Sequence, residues 1–322
     1  MTLRPIGASG LSCLLATATF GSPALAQFPD QPIRIVVPFA AGGGVDALAR
    51  PFAVRLAEIL GQNVLIENQG SATGELGAVA VKMSEADGYT LLLSSAAFGT
   101  TPAFYPQAAY DPVEDFETIA ILASAPQVLV ATNELDAASV EDIIATARES
   151  DALTVALSAT TGIQALATYL LADLSDIELT YVPYPGAGAA FPDLMAGRVD
   201  LMIDNPGSSL PLVQGNSLKL IATTGAERLE AAPDTPTIGE TIPGFEVANW
   251  FVLAAPSDTP QDVLDALSQA AREAINHPEL AERLQREGTT PFSLDQEESS
   301  AFVQSEVERW RETVSDLDLQ VH

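Results

Sequence analysis

The chain has 322 residues, 47% of them hydrophobic, with 14 basic against 43 acidic side chains and a formal charge of −29. Its length suits two domains of about 100–150 residues each better than one core. So acidic a chain repels nucleic acid and anionic membranes, which excludes both as partners, and one cysteine, Cys13, excludes an internal disulfide.

The first residues have a character of their own. Arg4 supplies a short positive region, 11–20 is largely apolar, and Ala24-Leu25-Ala26 matches an A-x-A cleavage pattern before Gln27. Residues 1–26 thus read as a Sec-type signal peptide cut after Ala26, which sends the protein to the periplasm. A buried N-terminal helix is the alternative. Gly10-Leu11-Ser12 is a poor lipobox and comes too early to make Cys13 a lipid anchor. Cleavage removes Arg4 and no acid, leaving 13 basic side chains, 43 acidic ones and no cysteine. Lys82 and Lys219 are the only lysines, and the surface suits a salty environment. No later stretch reaches the roughly 18 apolar residues of a membrane span, so no direct membrane insertion is expected.

Beyond residue 26, apolar runs and breakers alternate in the β-α-β order of a parallel sheet. Strands are predicted at 33–37, 64–67 and 89–93, with helices at 45–60, ended by Gly61, and at 75–83. Pro51 should bend the first helix or break it early. A second unit repeats the plan, with strands at 153–157, 178–182 and 199–203 and helices at 162–174 and 189–195. The apolar runs 117–131 and 245–254 are each able to cross between the units. Amphipathic helices dominate 260–317; Asp262, Leu264, Leu267 and Ala271 open one, and 278–286 forms another. The predicted fold is α/β, with two βαβαβ-containing domains joined by two crossover strands. Residues 27–126 plus 251–322 form domain 1, and 127–250 form domain 2. Right-handed crossovers place the first helix N-terminus of each unit at the carboxyl edge of its sheet, where open α/β sheets bind ligands.

Residues 37–46 read "VPFAAGGGVD". Asp46 and Ala47 break the G-x-G-x-x-G spacing, and no lysine follows to make a P-loop, so no nucleotide cofactor is expected. Two readings stay open: backbone N–H groups at a helix N-terminus presented to a carboxylate, or a sharp turn with Asp46 capping its own helix. Catalysis is poorly provisioned. The histidines are His277, before a proline at a helix start, and His322, and no G-x-S-x-G elbow occurs, so no enzyme is expected. Asp111, Glu114, Asp115 and Glu117 form either a calcium loop or a solvated one, the second being the simpler.

Five segments carry a family resemblance: "PIRIVVPFAAGGGVDALAR", "ADGYTLLLSS", "AYDPVEDFETIAIL", "VPYPGAGAAFPDLMAGRVDLMIDN" and "NWFVLAAPSDTP". They occur in order from about Pro29 onward. Together they resemble the periplasmic solute-binding proteins of tripartite tricarboxylate transporters, the Bug or TctC-like family. The resemblance implies a two-lobed, type II Venus-flytrap protein that closes on a small organic acid, usually a carboxylate. It also implies a monomer that delivers the ligand to membrane permease subunits, without catalysis, cofactor or metal. The ligand grip it implies is Phe39, Ala40, Gly42, Gly43, Gly44, Val45 and Asp46 in the first lobe, acting largely through main-chain amides, with Ser95. The second lobe contributes Ser158, Thr160, Thr161 and Gly162, together with Asp204 and Asn205.

The second-lobe loop departs from the family's S-G-x-G-T-x-x-H. Here "SATTGIQALA" has Ala159 and Thr161 where glycines are usual and Ala165 where the histidine falls. Pro185 replaces a frequent lysine, and Val45 a usual threonine. These exchanges imply a less highly charged ligand, a monocarboxylate or an amphipathic acid, unless they are packing swaps. A sensing subunit for a receptor kinase is the alternative role; an exported hydrolase is a third that the histidine inventory disfavours.

Overall fold

The computed structural model describes residues 28–321 except 72, 150–152, 185, 293 and 320. The expected signal peptide with Cys13, and also Pro185 and His322, lie outside the described residues.

The first sheet starts with β1 (Ile33–Val37), followed by α1 (Gly44–Leu60), β2 (Val64–Asn68), α2 (Glu75–Lys82) and β3 (Thr90–Ser95). Both β2 and β3 run parallel to β1, as two β-α-β crossovers require. Gly61 ends α1 in the left-handed region, at φ 65°, where a side chain would be strained. The helix runs through Pro51 with no early break, because Leu48, Ala49, Phe52 and Leu56 are buried on both sides of the proline. Next come α3 (Ala97–Phe104) and the long β4 (Phe116–Pro126).

The chain then enters the second sheet: β5 (Val128–Ala131), α4 (Val140–Glu149), β6 (Leu153–Leu157), α5 (Ile163–Ser175), β7 (Leu179–Pro183), α6 (Ala187–Met195), β8 (Leu201–Asp204), α7 (Pro206–Gln214) and β9 (Lys219–Thr223). It returns to the first sheet through β10 (Ala248–Pro256) and ends with α8 (Gln261–Ile275), α9 (Pro278–Arg286), β11 (Thr290–Pro291) and α10 (Gln296–Asp316). The strand orders are β11-β4-β10-β3-β1-β2 and β7-β6-β8-β5-β9. His277 is the N-cap residue of α9, directly before Pro278.

Period-two alternation assigns each strand residue to a core. Val36 joins Leu92, Ile121, Val252 and Trp310 on one face of the first sheet. Its neighbours Ile35 and Val37 join Phe52, Leu56, Leu264 and Leu267 on the other. In the second sheet, Val155, Leu201 and Ile203 meet Leu166 and Leu170 of α5, whereas Ala156 and Met202 meet Ala190 and Leu194 of α6. Helices therefore cover both faces of each sheet, as buried parallel strands demand.

The chain passes between the sheets twice. The predicted apolar run 117–131 divides at Gln127, with β4 in one sheet and β5 in the other. Residues 224–247 make the return. The two passages are tied together around Thr224, which is fully buried, as is Gln127. The Gln127 N–H donates to Thr224 Oγ1 at 2.7 Å, and the Thr224 N–H donates to the Gln127 carbonyl at 3.0 Å. The Val247 N–H donates to the Thr224 carbonyl at 2.8 Å, and the Thr224 hydroxyl donates back to the Val247 carbonyl. One threonine thus joins both strands of the passage. Thr224→Val keeps the volume but leaves a buried N–H unpaired, so it should lower unfolding stability by about 1–3 kcal/mol. Urea denaturation of the two proteins measures the loss.

Candidate functional site

A cavity of about 930 Å³ lies between the two sheets, at the carboxyl ends of β1, β3, β6 and β8. Helices α1, α3, α5 and α7 each begin at its wall, and in none does the N-cap residue's own side chain cap the helix. Uncapped N-termini carry free N–H groups and a partial positive charge.

In the first loop, Gly42 takes φ 83°, a turn that a side chain would strain. Its N–H donates at 2.8 Å to Asp46 Oδ2, which also accepts from Arg50 Nε at 2.9 Å. Asp46 Oδ1 accepts from Asn68 Nδ2 at 2.9 Å, and the same amide nitrogen reaches the Phe39 carbonyl at 3.2 Å. The carboxylate is 3% exposed and does not line the cavity. Asp46 is a brace: it reaches back from the first turn and pins the loop from behind. Gly43 then stands at the N-cap, and the N–H groups of Gly44 and Val45 have no acceptor among the described residues. Asp46 therefore does not cap its own helix: the loop is a braced turn that leaves the Gly44 and Val45 N–H groups open.

In the second lobe Gly162, at φ 90°, precedes α5, and the N–H groups of Ile163 and Gln164 likewise lack acceptors among the described residues. Helix α7 offers less. Pro206 has no N–H, and the Asn205 carbonyl accepts from Ser208 at 3.2 Å and Ser209 at 3.1 Å, which leaves Gly207. Asp204 is turned inward, 1% exposed, and accepts from the hydroxyls of Ser208 and Ser209.

Two side chains add donors. Ser95 is nine-tenths buried in the wall; its Oγ accepts from the Ala97 N–H at 3.4 Å, and its own proton finds no acceptor among the described residues. Asn249 Oδ1 accepts from the Ala96 N–H at 3.1 Å, which leaves Nδ2 unpartnered among them.

Of the residues expected from sequence, the cavity brings together Phe39, Ala40, Gly42, Gly43, Gly44, Val45, Ser95, Gly162 and Asn205. Asp46 and Asp204 brace their loops from behind. Ser158, Thr160 and Thr161 do not line it; the Ser158 carbonyl accepts from the Gly186 N–H at 3.0 Å and the Thr160 carbonyl from the Tyr169 hydroxyl at 3.3 Å. The sequence reading missed Gln164, Ser208, Asn249, Phe251, Leu284, Glu287 and Thr289. Gln164 lies in the second-lobe loop "SATTGIQALA", Asn249 and Phe251 in "NWFVLAAPSDTP" and Leu284 in the predicted helix 278–286, whereas Ser208, Glu287 and Thr289 carry no sequence signal. Among the described residues, no lysine, arginine or histidine lines the cavity. The acidic loop near 111–117 is otherwise engaged, Asp115 pairing with Lys82 at 2.7 Å and Asp111 with Arg311 at 2.6 Å.

The model of the tripartite tricarboxylate transporter family receptor, TctC, matches residues 48–319. The chain belongs to this family. An Agrobacterium vitis relative, a UPF0065 protein in the TAR-I ttuE-ttuC' intergenic region, is 36% identical over 312 residues, spanning 94% of this chain and 90% of its own. A solved R. palustris protein with adipate is 32% identical at a TM-score of 0.78, over 90% of this chain and 98% of its own. MatC from Rhodopseudomonas palustris, with bound malate, is 31% identical at a TM-score of 0.74, over 89% and 100%. The fold is the two-lobed periplasmic binding protein fold, as the sequence led one to expect. TctC proteins are a family of substrate-binding proteins.

The brace has a pH signature. Arg50 beside Asp46, with the Gly42 N–H and Asn68, outweighs the opposing effect of burial and holds the Asp46 carboxyl down at about 2. A carboxyl lower in the folded than in the unfolded chain stabilises above its unfolded value of about 4, and that gain fades as pH falls from there towards 2. Asp46→Asn should therefore melt earlier at neutral pH, and the difference should shrink between about pH 4 and pH 2. Calorimetry of both proteins across that range reads it.

Proposed function

We propose that this TctC-family protein is a periplasmic solute-binding protein that captures a small organic acid and delivers it to the permease subunits of a tripartite tricarboxylate-type transporter. The observation that carries the reading is the convergence of uncapped helix N-termini on one cavity that no cationic side chain among the described residues lines. The ligand's carboxylate sits between the first turns of α1 and α5. It accepts from the N–H groups of Gly44, Val45, Ile163 and Gln164, with Ser95 and Asn249 completing the shell. Each helix terminus contributes about 0.3–1 kcal/mol, and up to about 2 where partly buried, so several must act together. Adipate and malate in two solved relatives support a carboxylate.

Residues 27–126 plus 251–322 act as one lobe and 127–250 as the other, with the passages at Gln127 and Thr224 as hinge. Donors come from both lobes, so ligand contacts favour the closed arrangement and shift the population towards it. The protein works as a monomer in the periplasm, after removal of residues 1–26, and performs no catalysis.

A thermal-shift screen of small carboxylates on the mature protein tests this. A ligand at roughly 100 times its Kd adds about 2.7 kcal/mol and a clear melting shift. A panel in which only neutral or cationic compounds shift melting sinks the reading. Gly43→Val checks the loop. At φ −77° a side chain fits the backbone, and its Cβ would stand 3.3 Å from the Ala40 carbonyl. The fold should survive while its branched methyls crowd the donors, weakening carboxylate binding at least about tenfold, or 1.4 kcal/mol.

A further inference from the structure

The cavity wall also carries an acid. Glu287 closes the C-terminus of α9 and lines the cavity with Leu284 and Thr289. Its side chain is about half exposed, and Oε1 accepts from Arg283 Nε at 3.1 Å. Oε2 has no partner among the described residues. The neighbouring Gly288, at φ 76°, packs so tightly that a Cβ there would stand 2.9 Å from Pro206 Cβ. Glu287 is therefore on the α7 side, where Pro206 has already removed one donor. Leu48, Phe251 and Leu284 supply an apolar stretch of wall.

A dicarboxylate fits this lining badly. Its first carboxylate would find the N–H groups of α1 and α5. Among the described residues its second would meet no lysine, arginine or histidine in the wall; beside neutral donors such as the Gly207 N–H and the Thr289 hydroxyl stands the like charge of Glu287, in a chain whose formal charge is −29. Like charges brought together in a partly desolvated cleft repel, and such repulsion is a common means of rejecting a wrong ligand. An amine in the same place would donate to Glu287 Oε2 as a charge-assisted hydrogen bond.

We infer that the ligand is an amino-terminated carboxylic acid, with its carboxylate on the α1 and α5 N-termini, a short apolar chain along Leu48, Phe251 and Leu284, and its ammonium group against Glu287. Glu287 is the residue that sets this preference. The inference rests on the carboxylate reading above and goes further by assigning the other end of the ligand. Arg283 competes with it: if the guanidinium swings from Glu287 to the ligand, a dicarboxylate becomes the better fit.

The experiment uses three matched series of straight-chain acids of graded length: plain monocarboxylates, α,ω-dicarboxylates and ω-amino acids. Each is titrated by calorimetry into the mature protein, into Glu287→Gln and into Glu287→Lys, with circular dichroism checking that all three fold alike. The best ω-amino acid should bind the unaltered protein about tenfold more tightly than the monocarboxylate or dicarboxylate of equal length. Glu287→Gln should remove that advantage, and Glu287→Lys should pass it to the dicarboxylate. If dicarboxylates bind the unaltered protein best, or the amino-acid preference survives in Glu287→Gln, the inference falls while the carboxylate reading stands. If no member of any series binds, the carboxylate reading falls, and the inference with it.

Discussion

Capturing an anion with peptide N–H groups imposes a constraint on everything around them: the groups must stay unpaired until the ligand arrives. A free helix N-terminus invites a side-chain cap, and here the natural candidate would be the acid in its own first turn. Asp46 resolves the conflict by its placement. Its carboxylate is occupied by Gly42, Arg50 and Asn68 on the side away from the cavity, and the loop is held without covering Gly44 or Val45. Asp204 repeats the arrangement in the other lobe, where the hydroxyls of Ser208 and Ser209 occupy it. Each lobe thus keeps a buried carboxylate directly behind a surface proposed to receive another. The rear carboxylate must be satisfied by other donors, because an unpaired buried charge there would compete for the same N–H groups.

This placement depends on the two sheets presenting their carboxyl edges to a common space. Parallel strands with right-handed crossovers put α1 at the end of β1 and α5 at the end of β6. The antiparallel strands serve connection instead. Strands β4 and β5 carry the chain out of one sheet and into the other, and β10 brings it back between β3 and β4. Thr224 ties both passages together at one point. In the proposed closure, a rotation about it would change the separation of the helix N-termini while leaving each sheet intact.

The parts of the fold legible in sequence were those with a local cause. "IRIVV" is β-branched and apolar, three glycines mark the turn after it, and Gly61 marks the end of α1, so strand, loop and helix followed directly. Helix α3 escaped because "AFGTTPAF" is buried nearly all round, with no polar face to give a helical period. Helix α7 carries Pro206, Gly207 and Pro211 and reads as a loop. Helix α4 buries only Val140, Ile143 and Ala147, too thin a stripe to stand out. For the site, glycine loops could be read, but which acid faces the ligand could not. Asp46 and Glu287 are ordinary helix acids in sequence. Only packing turns the first away from the cavity and sets the second, 241 positions later, into its wall.

The overall charge and the local chemistry of the cavity point the same way on selectivity. A formal charge of −29 repels every anion at long range, and the repulsion grows with the charge the ligand carries. Salt screens that field beyond about 8–10 Å. Hydrogen bonds from a helix's first turn act only at contact, where little salt intervenes. In a saline medium the short-range attraction for one carboxylate therefore persists while the long-range penalty shrinks. A second carboxylate would meet the like charge of Glu287 in the same wall, with no cationic side chain among the described lining residues to offset it. On the proposed reading, an anion seat built mainly of backbone N–H groups inside an acidic protein would favour ligands whose net charge is small, and Glu287 would let charge of the opposite sign, rather than a second negative charge, complete the fit.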